Sequence, residues 1–163
     1  MPEPHIIRLR GPWEFEPLAR FVGGGGQIRE ETFGLPPAGR VRAPCDWGGL
    51  LGQDFAGRVR YARPFNCPTN LAPEERVWLA IDGVDARADV ALNGQPIGEA
   101  HGYQATACFD ITAALEPHNL LTIEVCMPSE SLKDETCRPG RTGMGGGLIG
   151  EVRLEIRGVA PGA

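Results

Sequence analysis

The stretch that decides the fold runs from Gly57 to Val125. Within it, Val77-Trp78-Leu79-Ala80-Ile81 and Leu121-Thr122-Ile123-Glu124-Val125 both place large apolar residues at every second position. Turn residues such as Asn93-Gly94 separate these runs. A period of two is typical of strands that bury one face. The predicted core comprises Val77, Leu79, Ile81, Val90, Leu92, Leu121, Ile123, Val125, Val152 and Leu154.

Further strand candidates lie on both sides of this stretch and within it. They cover residues 6–9, 13–15, 27–33, 40–42, 58–65, 95–98 and 106–111, and Val152-Arg153-Leu154-Glu155-Ile156 follows with its charged residues predicted to face solvent. No helix of ordinary length is predicted. Many short strands at fairly even spacing favour an all-β protein, a two-sheet antiparallel sandwich or jelly roll.

Local turn chemistry accounts for several polar residues. Asn93-Gly94 supplies the two positive-φ residues of a tight hairpin. Asp110 and Thr112 are predicted to cap a turn. His101 is predicted to lie in a turn with a hydrogen-bonded structural role, since no nucleophile motif accompanies it.

Composition limits the function. With 163 residues, the chain (1–163) is predicted to form a single domain. A net charge of -5 argues against nucleic-acid partners and anionic membrane surfaces. No signal peptide or apolar membrane run is seen, so a cytoplasmic location is expected, with a trimmed secreted form as the alternative. The five cysteines lack disulfide or zinc spacing, so free thiols without metal or cofactor are expected.

A series of short motifs carries a family resemblance. It begins with Ala43-Pro44 followed by Trp47, continues through Tyr61-Ala62-Arg63-Pro64-Phe65 and Leu92-Asn93-Gly94, and ends with Gly147-Leu148-Ile149-Gly150. In order and spacing, residues 6–158 resemble the N-terminal sugar-binding domain of glycoside hydrolase family 2, the β-galactosidase and β-glucuronidase group. The resemblance implies a galactose-binding-like jelly roll.

The same resemblance implies where a sugar would bind. In the family, contacts come from two loops at one end of the sandwich, here residues 46–54 and 133–144. The candidate ligand residues are therefore Asp46, Trp47, Asp54 and Arg141. Arg141 stands where family enzymes often place an aspartate, and an arginine donates hydrogen bonds where an aspartate accepts them. This exchange weakens the case for an inherited sugar site, although arginine suits a carboxylate or phosphate substituent.

Catalysis is not expected of this chain. Glycoside hydrolysis uses two carboxylates across the scissile bond, and the family's catalytic glutamates belong to a separate TIM barrel. Three interpretations stay open: a non-catalytic carbohydrate-binding or accessory domain, an interaction module that kept the jelly roll and lost the sugar site, and a fragment of, or partner to, a glycoside hydrolase catalytic chain. The expected partners are a carbohydrate and a catalytic domain or another protein.

Overall fold

The computed structural model describes residues 4–24, 27–46, 51, 55–127 and 147–158, with only the backbone described at 23–24, 27–28 and 45–46. Thirteen strands and one short 3-10 turn make up this part of the chain. The strands are β1 (His5–Arg8), β2 (Trp13–Gly24), β3 (Gln27–Glu31), β4 (Gly39–Val41), β5 (Cys45–Asp46), β6 (Gly57–Asn66), β7 (Glu75–Ile81), β8 (Arg87–Leu92), β9 (Gln95–His101), β10 (Ala107–Asp110), β11 (His118–Met127), β12 (Gly147–Leu148) and β13 (Val152–Gly158). The 3-10 turn covers Thr112–Ala114.

Two antiparallel sheets form the sandwich, as predicted. The smaller has the order β1-β13-β7-β10, and the larger has the order β3-β2-β6-β11-β8-β9, with β4 also paired to β2. A third pairing joins only β5 and β12. Strands β6 and β11 pair along their whole length, from Gly57 opposite Met127 to Asn66 opposite His118. The end of this pair at Gly57 and Met127 lies beside the β5–β12 pairing, because β11 contacts β12 and Ala86 and Asp85 bond to Cys126 and Gly147.

The core between the sheets confirms the alternation pattern. All ten predicted core residues are at most 1 % exposed. Aromatic residues of β2 and β6 complete the core: the rings of Phe15 and Tyr61 meet edge to face at 5.5 Å between centroids. Trp13 is buried with them, and its indole Nε1 donates to the Leu9 carbonyl at 2.8 Å. That bond satisfies the polar atom that a buried tryptophan carries.

The turn chemistry predicted for Asn93-Gly94 and for Asp110 and Thr112 is confirmed. Asn93 and Gly94 both have positive φ, 53° and 81°, at the turn between β8 and β9. Asp110 accepts from the backbone N–H of Thr112 at 3.1 Å and from its hydroxyl at 2.7 Å. These contacts begin the 3-10 turn, so both residues have a structural role.

Two strands extend well beyond their predicted ends. β2 extends to Gly24, because a register shift between Pro17 and Ala19 accommodates the proline without ending the strand. β9 extends to His101, which is therefore a strand residue and does not lie in a turn. The His101 Nε2 atom lies 3.0 Å from the Glu99 carboxylate on the exposed side of the strand.

The prediction that the charged residues of β13 face solvent was wrong for Glu155 and Arg153. Their side chains are only 9 % and 16 % exposed. Glu155 accepts from Arg157 and from Arg153, and these hydrogen bonds, with Arg157 first, lower the pKa of the carboxyl. The Arg157 guanidinium also stacks 4.8 Å from the Trp78 ring centroid. Alternation assigned these residues to the outer face but could not show that they cover one another.

Candidate functional site

The roots of the two loops in the proposed sugar site meet at one end of the sandwich. Asp46 of β5 pairs with Gly147 of β12, and Cys45 pairs with Leu148. Gly147 also forms a bridge with Asp85, whose backbone N–H donates to the Gly147 carbonyl at 3.0 Å. The Gly147 φ of 129° lies in a region that side chains rarely adopt. Glycine therefore allows this short strand to pair on both sides.

The segment 82–86 holds this end together. The Gly150 N–H donates to the Gly83 carbonyl at 3.1 Å, and the Gly102 N–H donates to the Ala86 carbonyl at 2.8 Å. The Ala86 N–H in turn donates to the backbone carbonyl of Cys126 at 3.2 Å, next to the last residue of β11. The backbone around Gly83 and Gly150 is packed so closely that a Cβ on Gly150 would lie 2.5 Å from the Gly83 nitrogen.

Asp85 is the buried carboxyl residue of the segment 82–86. It is 0 % exposed, and its backbone is held by Gly147 on the loop side. A buried carboxyl requires hydrogen-bonding partners, because desolvating it is costly. Asp85 was not among the predicted site residues. A polar residue between the apolar positions Val84 and Ala86 was the only signal, and a period-two pattern does not distinguish such a residue from a solvent-facing one.

The structure places one of the four predicted ligand residues. Asp46 lies in β5, where its backbone position is set by the pairing with Gly147. Trp47, Asp54 and Arg141 lie outside the described residues, as does the whole of the predicted 133–144 loop. The described residues on either side of these segments, Asp46, Phe55, Met127 and Gly147, all belong to the same end: Gly57 pairs with Met127, and Asp46 pairs with Gly147.

Charge on this side of the sandwich is largely paired. Arg153 donates to Asp82 at 2.7 Å, and Asp82 also accepts from the Thr106 hydroxyl at 3.0 Å. The hydrogen bond from Arg153 to Asp82 is the largest reason that the pKa of this guanidinium is raised. A cation already engaged in this way is not available to a ligand. Recognition of a sugar here would therefore depend on the loop residues.

The described part of the chain also contains histidines, cysteines and carboxylates away from this end. No group of three or more His, Cys, Asp or Glu side chains there is placed to hold a metal ion. No helix within those ranges is long and apolar enough to cross a membrane. Cys67, Cys108 and Cys126 are free thiols, and burial raises the pKa of Cys126.

Comparisons with solved structures identify the architecture. The fold matches a Bifidobacterium dentium β-glucuronidase with a TM-score of 0.71 at 22 % identity, over 98 % of this chain and 31 % of that one. A putative β-galactosidase from Bacteroides fragilis matches with a TM-score of 0.68 at 19 % identity, over 95 % and 23 %. A glycoside hydrolase family 2 β-galacturonidase from Eisenbergiella tayi matches with a TM-score of 0.62 at 17 % identity, over 94 % and 24 %.

These likenesses concern the fold, and this chain spans less than a third of the length of each of the three structures. A search of curated proteins found no match. A family model does match: the glycosyl hydrolase 2 galactose-binding domain-like model covers residues 55–157, more than half of the chain. Those residues include the paired strands β6, β8 and β11 and the segment 82–86. The chain therefore belongs to the glycosyl hydrolase 2 galactose-binding domain-like family.

Proposed function

We propose that this chain is a non-catalytic carbohydrate-binding domain that takes a sugar at the end of the sandwich where β5 and β12 pair. The observation that carries the proposal is the pairing of Asp46 with Gly147, because it brings the root of the 47–54 segment to the root of the 128–146 segment. Loops at the end of a sandwich can present groups that packed strands cannot spare. Membership of a galactose-binding domain-like family supports the same assignment.

Each type of proposed ligand residue would make a different kind of contact with the sugar. Trp47 offers an apolar ring for the C–H face of a sugar. Asp46 and Asp54 accept hydrogen bonds from hydroxyl groups. Arg141 donates to a carboxylate in a bidentate manner, so an acidic sugar is preferred over a neutral one. Several of the matched structures are β-glucuronidases, whose name denotes an acidic sugar, and this fits the direction of the preference.

A titration followed by backbone amide chemical shifts tests the proposal. Galactose, mannose and glucuronate are added separately to the whole chain, and we expect shifts at residues that flank the two segments, including Asp46, Phe55 and Gly147. Affinity is expected in the millimolar range, because hydrogen bonds to a well-hydrated sugar contribute little net free energy. Shifts confined to residues far from this end would refute the location.

Two matched pairs of variants sharpen the test. Trp47→Ala should abolish the shifts, whereas Phe33→Ala, which removes an aromatic residue that is 72 % exposed elsewhere on the surface, should preserve them. Arg141→Ala should remove the preference for glucuronate over galactose. Arg40→Ala, which removes an exposed arginine paired with Glu14, should keep it.

A second candidate function is an interaction module that docks on a larger protein. The observation in its favour is that the matched structures are three or more times longer than this chain, so sandwiches of this kind occur within larger proteins. Under this alternative the expected partner is a glycoside hydrolase catalytic domain. Absence of any sugar-induced shift at high millimolar concentration, together with an unchanged fold, would favour it over the carbohydrate-binding function.

A further inference from the structure

Arg63 occupies a core-facing position in β6. In the register of β6 with β11, Tyr61 lies opposite Ile123 and Arg63 lies opposite Leu121. Directly opposed residues of antiparallel strands share a face of the sheet. Tyr61, Ile123 and Leu121 are all 0 % exposed, so the Arg63 side chain leaves the strand on the face that the core uses. Arginine is rarely placed there without a partner.

No carboxylate pairs with this guanidinium among the described residues. Its Nη1 donates to the adjacent Pro64 carbonyl at 2.8 Å, and its Nε is buried without a hydrogen-bond partner. Burial lowers the pKa of Arg63. Its neighbours on the outer face of β6 differ, because Arg58 pairs with Glu30 and Glu124 and Arg60 pairs with Glu16. A half-buried cation with one carbonyl contact contributes little to stability.

A groove lies beside Arg63 at the open margin between the two sheets. Its volume is about 520 Å³, within the range of small-molecule sites. Sheet residues Ile7 and Leu154 line one wall, and Phe65 lines the other. The remaining lining residues are Arg8, Leu9, Arg63, Pro64, Asn66, His118 and Asn119, so the described lining contains two arginines and no aspartate or glutamate.

Charge makes this groove unusual for the protein. The whole chain carries a net charge of -5, yet the described lining of the groove holds two arginines and no acidic residue. Arg8 is engaged with Glu151 at 3.0 Å, which leaves Arg63 as the lining arginine without a carboxylate. The groove is also remote from the proposed sugar site: along β6, Arg63 lies about 20 Å from Gly57, at about 3.3 Å per residue.

We propose that this groove binds a small organic carboxylate, with its oxyanion on the terminal guanidinium nitrogens of Arg63 and its apolar part between Ile7, Phe65 and Leu154. A guanidinium matches a carboxylate in geometry and charge, and the apolar walls offer a surface for the rest of the ligand. The groove is separate from the proposed sugar site, so a result that refutes one proposal leaves the other proposal standing. Features that lower stability without local compensation are expected at functional sites.

Phenylacetate is a suitable probe, because it joins a carboxylate to an apolar ring of a size that the groove admits. Titration of the whole chain should shift the amides of Ile7, Phe65 and His118 with a millimolar dissociation constant. Phenylacetamide, the neutral isostere, should bind at least tenfold more weakly. Acetate tests the contribution of the apolar part, and its weak binding would support the need for that part. Inorganic phosphate tests the preference for a carboxylate, and phosphate binding as tight as that of phenylacetate would overturn it.

Variants of two arginines on the same strand complete the test. Arg63→Met should weaken phenylacetate binding at least tenfold, whereas Arg60→Met, which removes an equal charge from the outer face, should change it less than twofold. Arg63→Met should leave the midpoint of thermal unfolding unchanged or raised, and a large decrease would indicate a structural arginine and overturn the proposal. If Arg63→Met does not fold, the comparison of phenylacetate with phenylacetamide on the unaltered chain decides alone, and equal shifts would sink the proposal.

Discussion

Asp46 and Gly147 lie opposite each other in a two-stranded pairing that joins distant parts of the chain. Gly147 uses its other side to bridge Asp85, so three segments meet at one glycine. The φ of 129° at Gly147 makes this geometry specific to glycine. The end of the sandwich proposed for sugar binding is thus built around backbone hydrogen bonds that a local sequence pattern does not reveal.

Substitution of Gly150 should destabilise this end. In Gly150→Ala the new Cβ would lie 2.5 Å from the Asp82 carbonyl carbon and the Gly83 nitrogen, so the backbone must shift. We expect the free energy of unfolding to fall by about 1–3 kcal/mol in urea denaturation. Gly158→Ala is the matched control, because nothing lies within 4 Å of its Cβ position. Equal losses in the two variants would contradict the close packing.

Ile123 should be a major contributor to stability. It is 0 % exposed in β11, so Ile123→Ala removes buried methyl groups and leaves a cavity. The expected loss is about 2–5 kcal/mol of unfolding free energy. Leu120→Ala on the same strand, at a side chain that is 45 % exposed, should cost less than about 0.5 kcal/mol. A comparable cost for both would show that the core face of β11 is assigned incorrectly.

Asn93 should matter for more than its turn dihedral. Its Oδ1 accepts from the Leu120 N–H at 2.8 Å, and its Nδ2 donates to Asn119 at 3.0 Å. Asn70 shares the left-handed φ, at 60°, and its side chain forms no hydrogen bond to another of the described residues. We expect Asn93→Ala to lower the unfolding free energy by about 1–2 kcal/mol more than Asn70→Ala does. Equal effects would mean that only the turn geometry counts.

Glu155 should contribute a pH-dependent part of the stability. Hydrogen bonds from Arg157 and Arg153 lower the pKa of the folded carboxyl below its usual value of about 4.3. The contribution is therefore fully present above the unfolded pKa and is lost as the pH falls through the folded pKa. Glu155→Gln should cost about 1–3 kcal/mol at neutral pH.

The difference in unfolding free energy between the unaltered chain and Glu155→Gln should shrink as the pH falls below about 4. Glu14→Gln is the control, because the Glu14–Arg40 pair is well exposed and such pairs contribute little. A difference that stays constant from pH 7 to pH 3 would show that Glu155 acts through packing, without a contribution from its charge.

Hydrolysis of aryl glycosides should not be measurable with this chain. The reaction requires an acid and a nucleophile or base at a set separation, and the strands in the described part of the chain form a sandwich and no barrel that could position them. Chromogenic galactosides, glucuronides and mannosides are the substrates to test. Steady turnover that disappears in Asp54→Ala or Glu135→Ala would overturn this expectation.

Much of the fold was predictable because strand alternation is a local signal. The spacing of Leu121, Ile123 and Val125 alone predicts that they share one face of a strand, and all three are buried. Asn93-Gly94 is likewise a local signal, since the two residues tolerate the positive φ of a tight turn. The solvent side of β13 was less predictable, because whether Glu155 is covered depends on how Arg157 is held, and Arg157 stacks on Trp78 of the neighbouring strand β7.

The sequence by itself determined the all-β class, the two-sheet sandwich, the buried faces of the central strands and the family resemblance, because each rests on residue types at short, regular spacing. Only the tertiary structure decided that Asp46, Asp85 and Gly147 meet, and that Arg63 faces the core side beside an open groove. These relationships arise from strand register and from the packing of one sheet on another. They join residues far apart in the chain, so no local pattern encodes them.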